Sequence, residues 1–514
     1  MSDNRRPNIL LITSDQQHYS TIGAVNDRIR TPALDRLCRE GVRFDRAYCP
    51  NPTCTPTRAS IITGKMPSEH GAWSLGTKLF ENVPTVGAML SAAGYDTTLI
   101  GKAHFQPLAT RPGYESLECQ PKLRDLDFWR GFHGPWYGFD HVEVARNHAD
   151  ESHVGQHYAI WMEENGLPDW QQYYCTWPDP KFDDGWTRQY VRPDNKRSWT
   201  LPEKFHYTTW TGERTVAQLE RVAESGESFF LWSSFHDPHP PYLVPEPWAS
   251  MYDPADMPVG KLTPGEHDAN PEHFGRTQID DPTWWREVRQ GEAIHGGNVQ
   301  LRDEAELRKD MACYYGMVSF MDSQIGRILD SLDRLGLADN TIVVFSTDHG
   351  HFLGQHGLTA KAIHHYEDLL RVPMIVRWPG RAPAGSVSDT IQNHVDLSPT
   401  FLSAAGLDVP GDMTGLSQIE TWCGGEPARR CSIIENHHGT RHFHMRSFVT
   451  ERYKITVYRD GDDGELFDLR DDPGEVRNLW RDPSAAAIKC DMLHRFMQAT
   501  LRAEPIRMPR IAGA

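Results

Sequence analysis

No stretch of this chain approaches the ~20 consecutive apolar residues that span a bilayer, and its 514 residues contain neither an internal repeat nor a low-complexity segment. The first absence sets aside a membrane-spanning helix. The nine cysteines, an odd number without any CxxC pair, are scattered from Cys38 to Cys490 and do not make a disulfide framework. They read as reduced thiols. Met1 to Pro7 is charged and runs directly into the apolar segment Asn8 to Thr13, with no h-region or cleavage site, so a soluble cytoplasmic protein is expected. Positive charge is also short: 53 Lys and Arg against 70 Asp and Glu leave a formal charge of −17. A nucleic-acid or acidic-membrane partner would require the opposite balance. An anionic substrate must therefore be drawn in by local positive charge.

What is present is enough apolar material, 39% of the residues, to bury a large core. Short apolar runs at Asn8 to Thr13, Thr97 to Ile100, Phe229 to Ser233, Thr341 to Ser346 and Pro373 to Val376 predict buried strands of a parallel sheet. Helical patterns lie between them, at Thr31 to Glu40, at Thr211 to Glu224, and in a long helix. There Leu307, Met311, Tyr314, Val318, Met321, Ile325, Ile328 and Leu332 recur in steps of four and three. Strands alternating with helices predict an α/β fold whose large, mixed but mostly parallel sheet is sandwiched by helices. The texture changes near Gly411. Arg446 to Thr450, Tyr453 to Tyr458, a turn at Asp460 to Gly464 and a helix near Ser484 to Arg502 suggest a small α+β domain. The expected division is a catalytic domain at 1–410 and a C-terminal domain at 411–514. Within the first, residues 105–210 hold eight of the sixteen tryptophans with little periodicity. Such an insertion either covers a site or packs a satellite core.

Open α/β sheets bind ligands at the carboxyl ends of their strands. The first apolar run ends in Ser14-Asp15-Gln16, and the run at Thr341 ends in Thr347-Asp348-His349-Gly350. Two carboxylates, an amide and an imidazole could there share one divalent cation, although an Asp after a strand is more often a cap or turn residue. A third piece is Cys54-Thr55-Pro56-Thr57-Arg58. Pro56 suits a first helical turn and so puts Cys54 at a helix N-terminus, where backbone N–H groups and Arg58 favour an anion.

Cys54-x-Pro56-x-Arg58-x-x-x-x-Thr63-Gly64, continuing to His70-Gly71, resembles the signature of the type I sulfatases, within the alkaline phosphatase-like superfamily. In that family the cysteine is oxidised to formylglycine by a maturation enzyme. The resemblance extends through Gly101-Lys102-Ala103-His104, Pro238-His239-Pro240-Pro241, Gln355-His356-Gly357-Leu358-x-x-Lys361 and the string Glu465-Leu466-Phe467-Asp468-Leu469. It implies hydrolysis of sulfate monoesters on small sulfated substrates, through a sulfated-enzyme intermediate. A hydrated aldehyde supplies the hydroxyl and later expels sulfate by reverting to aldehyde, a release that a serine ester lacks. The resemblance further implies that Asp15, Gln16, Asp348 and His349 hold a metal together with the oxygen at position 54. Lys102 and Lys361 would grip sulfate, His239 protonate the leaving group, His104 take the diol proton, and Arg58 steady the diol. Calcium is the family's usual ion. Gln16 and His349 replace the commoner Asp and Asn of animal enzymes, and an imidazole ligand suits Mn²⁺ or Zn²⁺ better. The remaining histidines, among them His364-His365, His437-His438 and His442 with His444, show no ligand spacing backed by a motif, and His153 with His157 reads as structural or substrate-facing.

Three other readings compete. Phosphonate monoester or phosphodiester hydrolases share the formylglycine and a similar Asp-Gln and Asp-His set, but carry uncharged residues where this chain has Lys102 and His104. A binding protein on a decayed scaffold would have lost some of these positions, and none is lost. Unmodified Cys54 could act as a thiolate if Arg58 and the helix terminus lowered its pKa.

Overall fold

The computed structural model describes residues 6–146, 153–174, 197–279, 303–361, 363–437, 443–505 and 511. Its centre is an eight-stranded sheet built from β1 (Asn8–Ser14), β2 (Val42–Phe44), β3 (Asp96–Gly101), β4 (His141–Val144), β5 (Phe229–Ser234), β6 (Thr341–Thr347), β7 (Met374–Arg377) and β8 (Ser386–Ser388). The spatial order is β8-β2-β7-β6-β1-β5-β3-β4. Pairing is parallel throughout except along β7, which runs antiparallel to both β6 and β2. The expected mixed, mostly parallel α/β sheet is therefore present.

Both faces of the sheet are covered, which is why its strands are apolar runs rather than alternating ones. Successive residues of β1 still separate by face. Ile9 and Leu11 join one core with Ala59, Ile61 and Ile62 of helix α2 (Cys54–Thr63), while Leu10 and Ile12 join the other. That second core is closed by α1 (Pro32–Glu40), α3 (Tyr207–Ser225) and the 31-residue α4 (Glu304–Arg334). In α4 the buried Met321, Ile325, Ile328 and Leu332 are the apolar face expected from the spacing.

The register decides where function can sit. Ser14 pairs with Thr347, Thr13 with Ser234, Ser234 with Gly101, and Gly101 with Val144. Five neighbouring strands thus end at one level, and the residues after each of them open onto a common crevice. Gly101 permits the close approach on which this depends, because a Cβ there would lie 1.9 Å from the carbonyl oxygen of Ser234.

The C-terminal part is a small domain. A four-stranded antiparallel meander, β9 (Ser432–His437), β10 (His444–Val449), β11 (Tyr453–Tyr458) and β12 (Gly464–Asp468), packs against α5 (Ala486–Arg502). Two of these strands, β10 and β11, were expected; β9 and β12 are additions. The aromatic insertion builds a satellite core in which Tyr158, Trp161, Trp170, Tyr174, Trp199 and Trp210 pack together. Trp129 and Trp136 join the main core instead, and Trp177 and Trp186 lie outside the described residues. His157 is structural, since its ring nitrogens meet the Val144 N–H at 3.0 Å and the Phe132 carbonyl at 2.9 Å.

Candidate active site

Helix α2 starts at Cys54, as Pro56 suggested, and all ten of its residues are buried. It ends at Gly64, whose φ of 65° gives the left-handed cap that glycine adopts most easily. The far end of the signature braces the helix, for the His70 ring meets the Ser60 hydroxyl at 3.0 Å. In front of the helix, Asn51 accepts from the Thr53 N–H at 2.9 Å and donates to the Glu435 carbonyl at 2.7 Å.

Around the Cys54 Sγ the strand-end residues converge. Sγ stands 3.7 Å from Asp15 Oδ1 and 3.3 Å from His349 Nε2, and it accepts from Lys361 Nζ at 2.9 Å. Lys361 Nζ also lies 3.2 Å from His239 Nε2 and 3.3 Å from His349 Nε2. Lys102 Nζ donates to Asp15 Oδ2. Arg58 donates to Asp348 Oδ2 at 3.0 Å, to Ser234 Oγ at 2.7 Å and to the Lys102 carbonyl at 2.9 Å, which ties the helix to three strand ends. His104, in the left-handed region at φ 57°, is buried, with its backbone N–H on Glu118 at 2.8 Å and its Nδ1 without a partner. Every residue expected at the site is therefore brought to this crevice.

Asp15, Cys54, Asp348 and His349 place ligand atoms within 4.8 Å of one another, making the one such group among the described residues. Its chemistry suits a cation. The His349 Nδ1–H faces the Gly350 carbonyl at 2.9 Å, which leaves Nε2 free to coordinate, and burial holds the ring down at about 4 and so neutral. Burial would raise the Asp15 carboxyl, but Lys102, Arg58 and Lys361 outweigh it and keep Asp15 ionised. Gln16 has φ 64°; its Nε2 contacts His351 Nδ1 at 2.8 Å, while its Oε1 is buried without a partner. A buried, orphaned amide oxygen on the residue that follows Asp15, whose own N–H meets Asp348 Oδ1 at 2.9 Å, is a ligand atom that a hard cation would satisfy.

The thiol is not poised as a thiolate. Burial, reinforced by Asp15, pushes Cys54 up to about 11 against the pull of Lys361. Burial also holds His104 far below its ordinary value, with Arg146 and Lys102 adding to the effect, so the ring is a neutral base. Glu118, Arg146, His351 and Ser234 were not foreseen. His351 alone had a local signal, two residues beyond His349 at the same strand end.

A helix N-terminus meeting carboxylates and cations at the ends of a mostly parallel sheet is an anion-binding centre beside a group of potential metal ligands. The profile described as Sulfatase matches residues 7–407, and that described as N-sulphoglucosamine sulphohydrolase, C-terminal, matches residues 354–502. The chain belongs to the sulfatase family and is a sulfuric ester hydrolase. It is similar to an arylsulfatase of Clostridium perfringens, at 28% identity over 92% of this chain and 90% of that protein. It is also similar to a multifunctional alkaline phosphatase superfamily protein of Trinickia caryophylli, at 27% identity over 96% and 95%. A solved phosphonate monoester hydrolase of Silicibacter pomeroyi shares the fold with a TM-score of 0.77 and 24% identity over 98% of this chain and 96% of that one. Among the described residues, no helix is long and apolar enough to cross a membrane.

Proposed function

We propose that this protein hydrolyses sulfate monoesters with a formylglycine made from Cys54 by a maturation enzyme. A divalent metal would be held by Asp15, Gln16, Asp348, His349 and the oxygen at position 54. The observation that carries the reading is Lys102, fully buried and paired with Asp15 next to Cys54. Asp15 meets one of its donors, and the ammonium carries others that can reach a sulfuryl oxygen beside Cys54. The Cys54 Sγ stands where the hydroxyl of the hydrated aldehyde would be. Bound at this cluster, a divalent ion lowers the nucleophile's pKa and offsets charge on the sulfuryl oxygens. Calcium is the proposed ion, with Mn²⁺ or Zn²⁺ as the alternatives that the His349 imidazole favours.

The protein groups divide the remaining work. Lys102 and Lys361 hold the sulfuryl oxygens, and Arg58, anchored on Asp348, steadies the diol. His239, 3.2 Å from Lys361, is placed to pass a proton to the departing alkoxide. His104, neutral and with an unpartnered ring nitrogen, takes the proton of the second hydroxyl, so that the sulfated intermediate collapses to aldehyde and releases sulfate. The substrate is a small sulfated molecule, and the proposed compartment is the cytoplasm, in keeping with the nine scattered cysteines.

Phosphonate monoester hydrolysis is the second reading, favoured by Gln16 and His349 in the ligand cluster. Rates on an aryl sulfate and on a phenyl phosphonate ester decide between them. Mature protein should show the cysteine-to-formylglycine mass change and turn over the sulfate faster. Preference for the phosphonate over every sulfate ester would overturn the proposal. Cys54→Ser should give a stalled adduct or no reaction, and sustained turnover by that variant would refute the aldehyde mechanism.

A further inference from the structure

Arg146 has no place in the scheme above, yet it is built into the same crevice. It follows β4, the strand beside the one that delivers Lys102 and His104, and the pairing of Gly101 with Val144 sets residues 145 and 146 alongside 102 and 103. Its root is pinned from both sides. The Ala145 N–H donates to the Gly101 carbonyl at 3.1 Å, and the Ala145 carbonyl meets His236 Nε2 at 2.9 Å. The side chain is 4% exposed, and its Nε and Nη1 are buried without a hydrogen-bond partner. Glu118, Cys54 and Asp15 are the negative or potentially negative groups that act on it. Both oxygens of Glu118 are already engaged, Oε1 by the His104 N–H at 2.8 Å and Oε2 by the Gln106 N–H at 2.6 Å.

A guanidinium with two unused N–H donors, out of water, is costly unless a ligand completes it. The charge count points the same way. Four buried cations, Arg58, Lys102, Arg146 and Lys361, face the carboxylates of Asp15, Asp348 and Glu118, while Asp237, bonded to Tyr207 and Thr208, is lifted by burial to about 7 and adds at most a part of a charge. A divalent ion would widen that excess, and one sulfate monoester carries too little charge to cancel it. Arg58 already donates to Asp348, Ser234 and the Lys102 carbonyl and keeps only its Nη2 without a partner, and Lys102 donates to Asp15, whereas Arg146 has both Nε and Nη1 unpartnered and so is the cation with most to offer an added group.

We propose that Arg146 forms a subsite for a second anionic group on the substrate, so that the preferred substrates carry a carboxylate or a second sulfate close to the scissile ester. This rests on the sulfatase reading for the identity of the reacting group. The planar fork of arginine suits both kinds of anionic oxygen group, and an uncharged alcohol moiety would leave it unpaired.

The test is a binding experiment that needs no turnover. Calorimetry compares benzenesulfonate with the three carboxybenzenesulfonate isomers and with benzenedisulfonate, on the parent protein and on Arg146→Gln and Arg146→Lys. The parent should bind at least one dianion about tenfold or more tighter than benzenesulfonate, the scale of a charge-assisted contact. Arg146→Gln should erase that difference, and Arg146→Lys should retain part of it. The carboxylated and disulfonated arms tell which second group is read. Thermal melting of each variant identifies any loss of fold, and a folded Arg146→Lys still supplies the comparison if the glutamine variant fails. Equal affinity of the parent for singly and doubly charged probes overturns the proposal. So does a parallel loss of both in Arg146→Gln, which would assign Arg146 to the sulfonate itself. A parent that shows the dianion preference but turns over no sulfate ester would keep the subsite and discard the sulfatase reading.

Discussion

Gln16 lies with its amide nitrogen against His351, and that contact fixes the amide with its oxygen as the end left without a partner. His351 is itself fixed, by Tyr242 Oη at 2.8 Å from its other nitrogen and by Tyr314 stacked on its ring at 4.8 Å. His351→Phe keeps the stacking and removes the acceptor, so the amide is free to turn. Metal affinity of the apo protein should then drop about 10- to 100-fold, the usual cost of losing an outer-shell partner, and an unchanged titration curve would refute the arrangement. Asp348→Ala is more severe, because this carboxylate is at once a candidate ligand, the partner of Arg58 Nε, and the acceptor of the Gln16 and His349 N–H groups. It should lose stoichiometric metal and nearly all turnover, read by elemental analysis and by assay. Lys102 and His104 separate by step. Lys102→Met should slow sulfate ester hydrolysis by about 10²-fold or more, as removal of a preorganised charge does elsewhere. His104→Ala should accumulate sulfated protein, visible as an intact-mass adduct.

At the scale of elements, the segment leading to Lys361 is held by an ion-paired histidine. His356 takes φ 58°, stacks on Tyr366 at 3.5 Å, and contacts Glu266 at 3.0 Å and Asp368 at 3.5 Å. Burial pulls its pKa down, but the hydrogen bonds to Asp368 and Glu266 outweigh burial and lift it to about 9 from 6.5. The folded state thus binds this proton more tightly than the unfolded chain does. The stabilisation is complete below pH 6.5 and is lost as the pH climbs through 9. Melting temperature should fall over that interval, and His356→Asn should start lower and lose that part of the slope. The elements legible in the sequence were those whose burial left an unbroken pattern: the strands around Leu11 and Val344, and α4 with its steps of four and three. Strands β2 and β8 have three residues each and are strands because a neighbour pairs with them, so no local pattern marks them. Asp15, Cys54, Lys102 and Asp348 were legible because a motif accompanies each. Arg146 follows a four-residue strand, and only the register with Gly101 shows what it stands beside.

At the scale of the whole molecule, the small C-terminal domain reaches the loop in front of Cys54. The Glu435 N–H donates to the Pro50 carbonyl at 2.8 Å, and its carboxylate receives the Ser68 N–H at 2.9 Å, next to the contact its carbonyl makes with Asn51. A strand some 380 residues further along the chain therefore packs against the segment that carries Cys54. With every residue from Cys54 to Thr63 buried, another protein has no grip on this cysteine once folding is complete. On the proposed mechanism, oxidation to formylglycine would have to win a race against folding, and a molecule that folds first would be locked out of its own activation. Purified, folded protein from a host without the maturation enzyme should stay unmodified when that enzyme is added, whereas a peptide spanning residues 50–66 should be converted, both read by mass spectrometry. Conversion of the folded protein at the rate of the peptide would show that the helix opens. Otherwise the yield of active molecules in a cell would be set by timing: slower folding enlarges the competent fraction, and faster folding, by shortening the window, diminishes it.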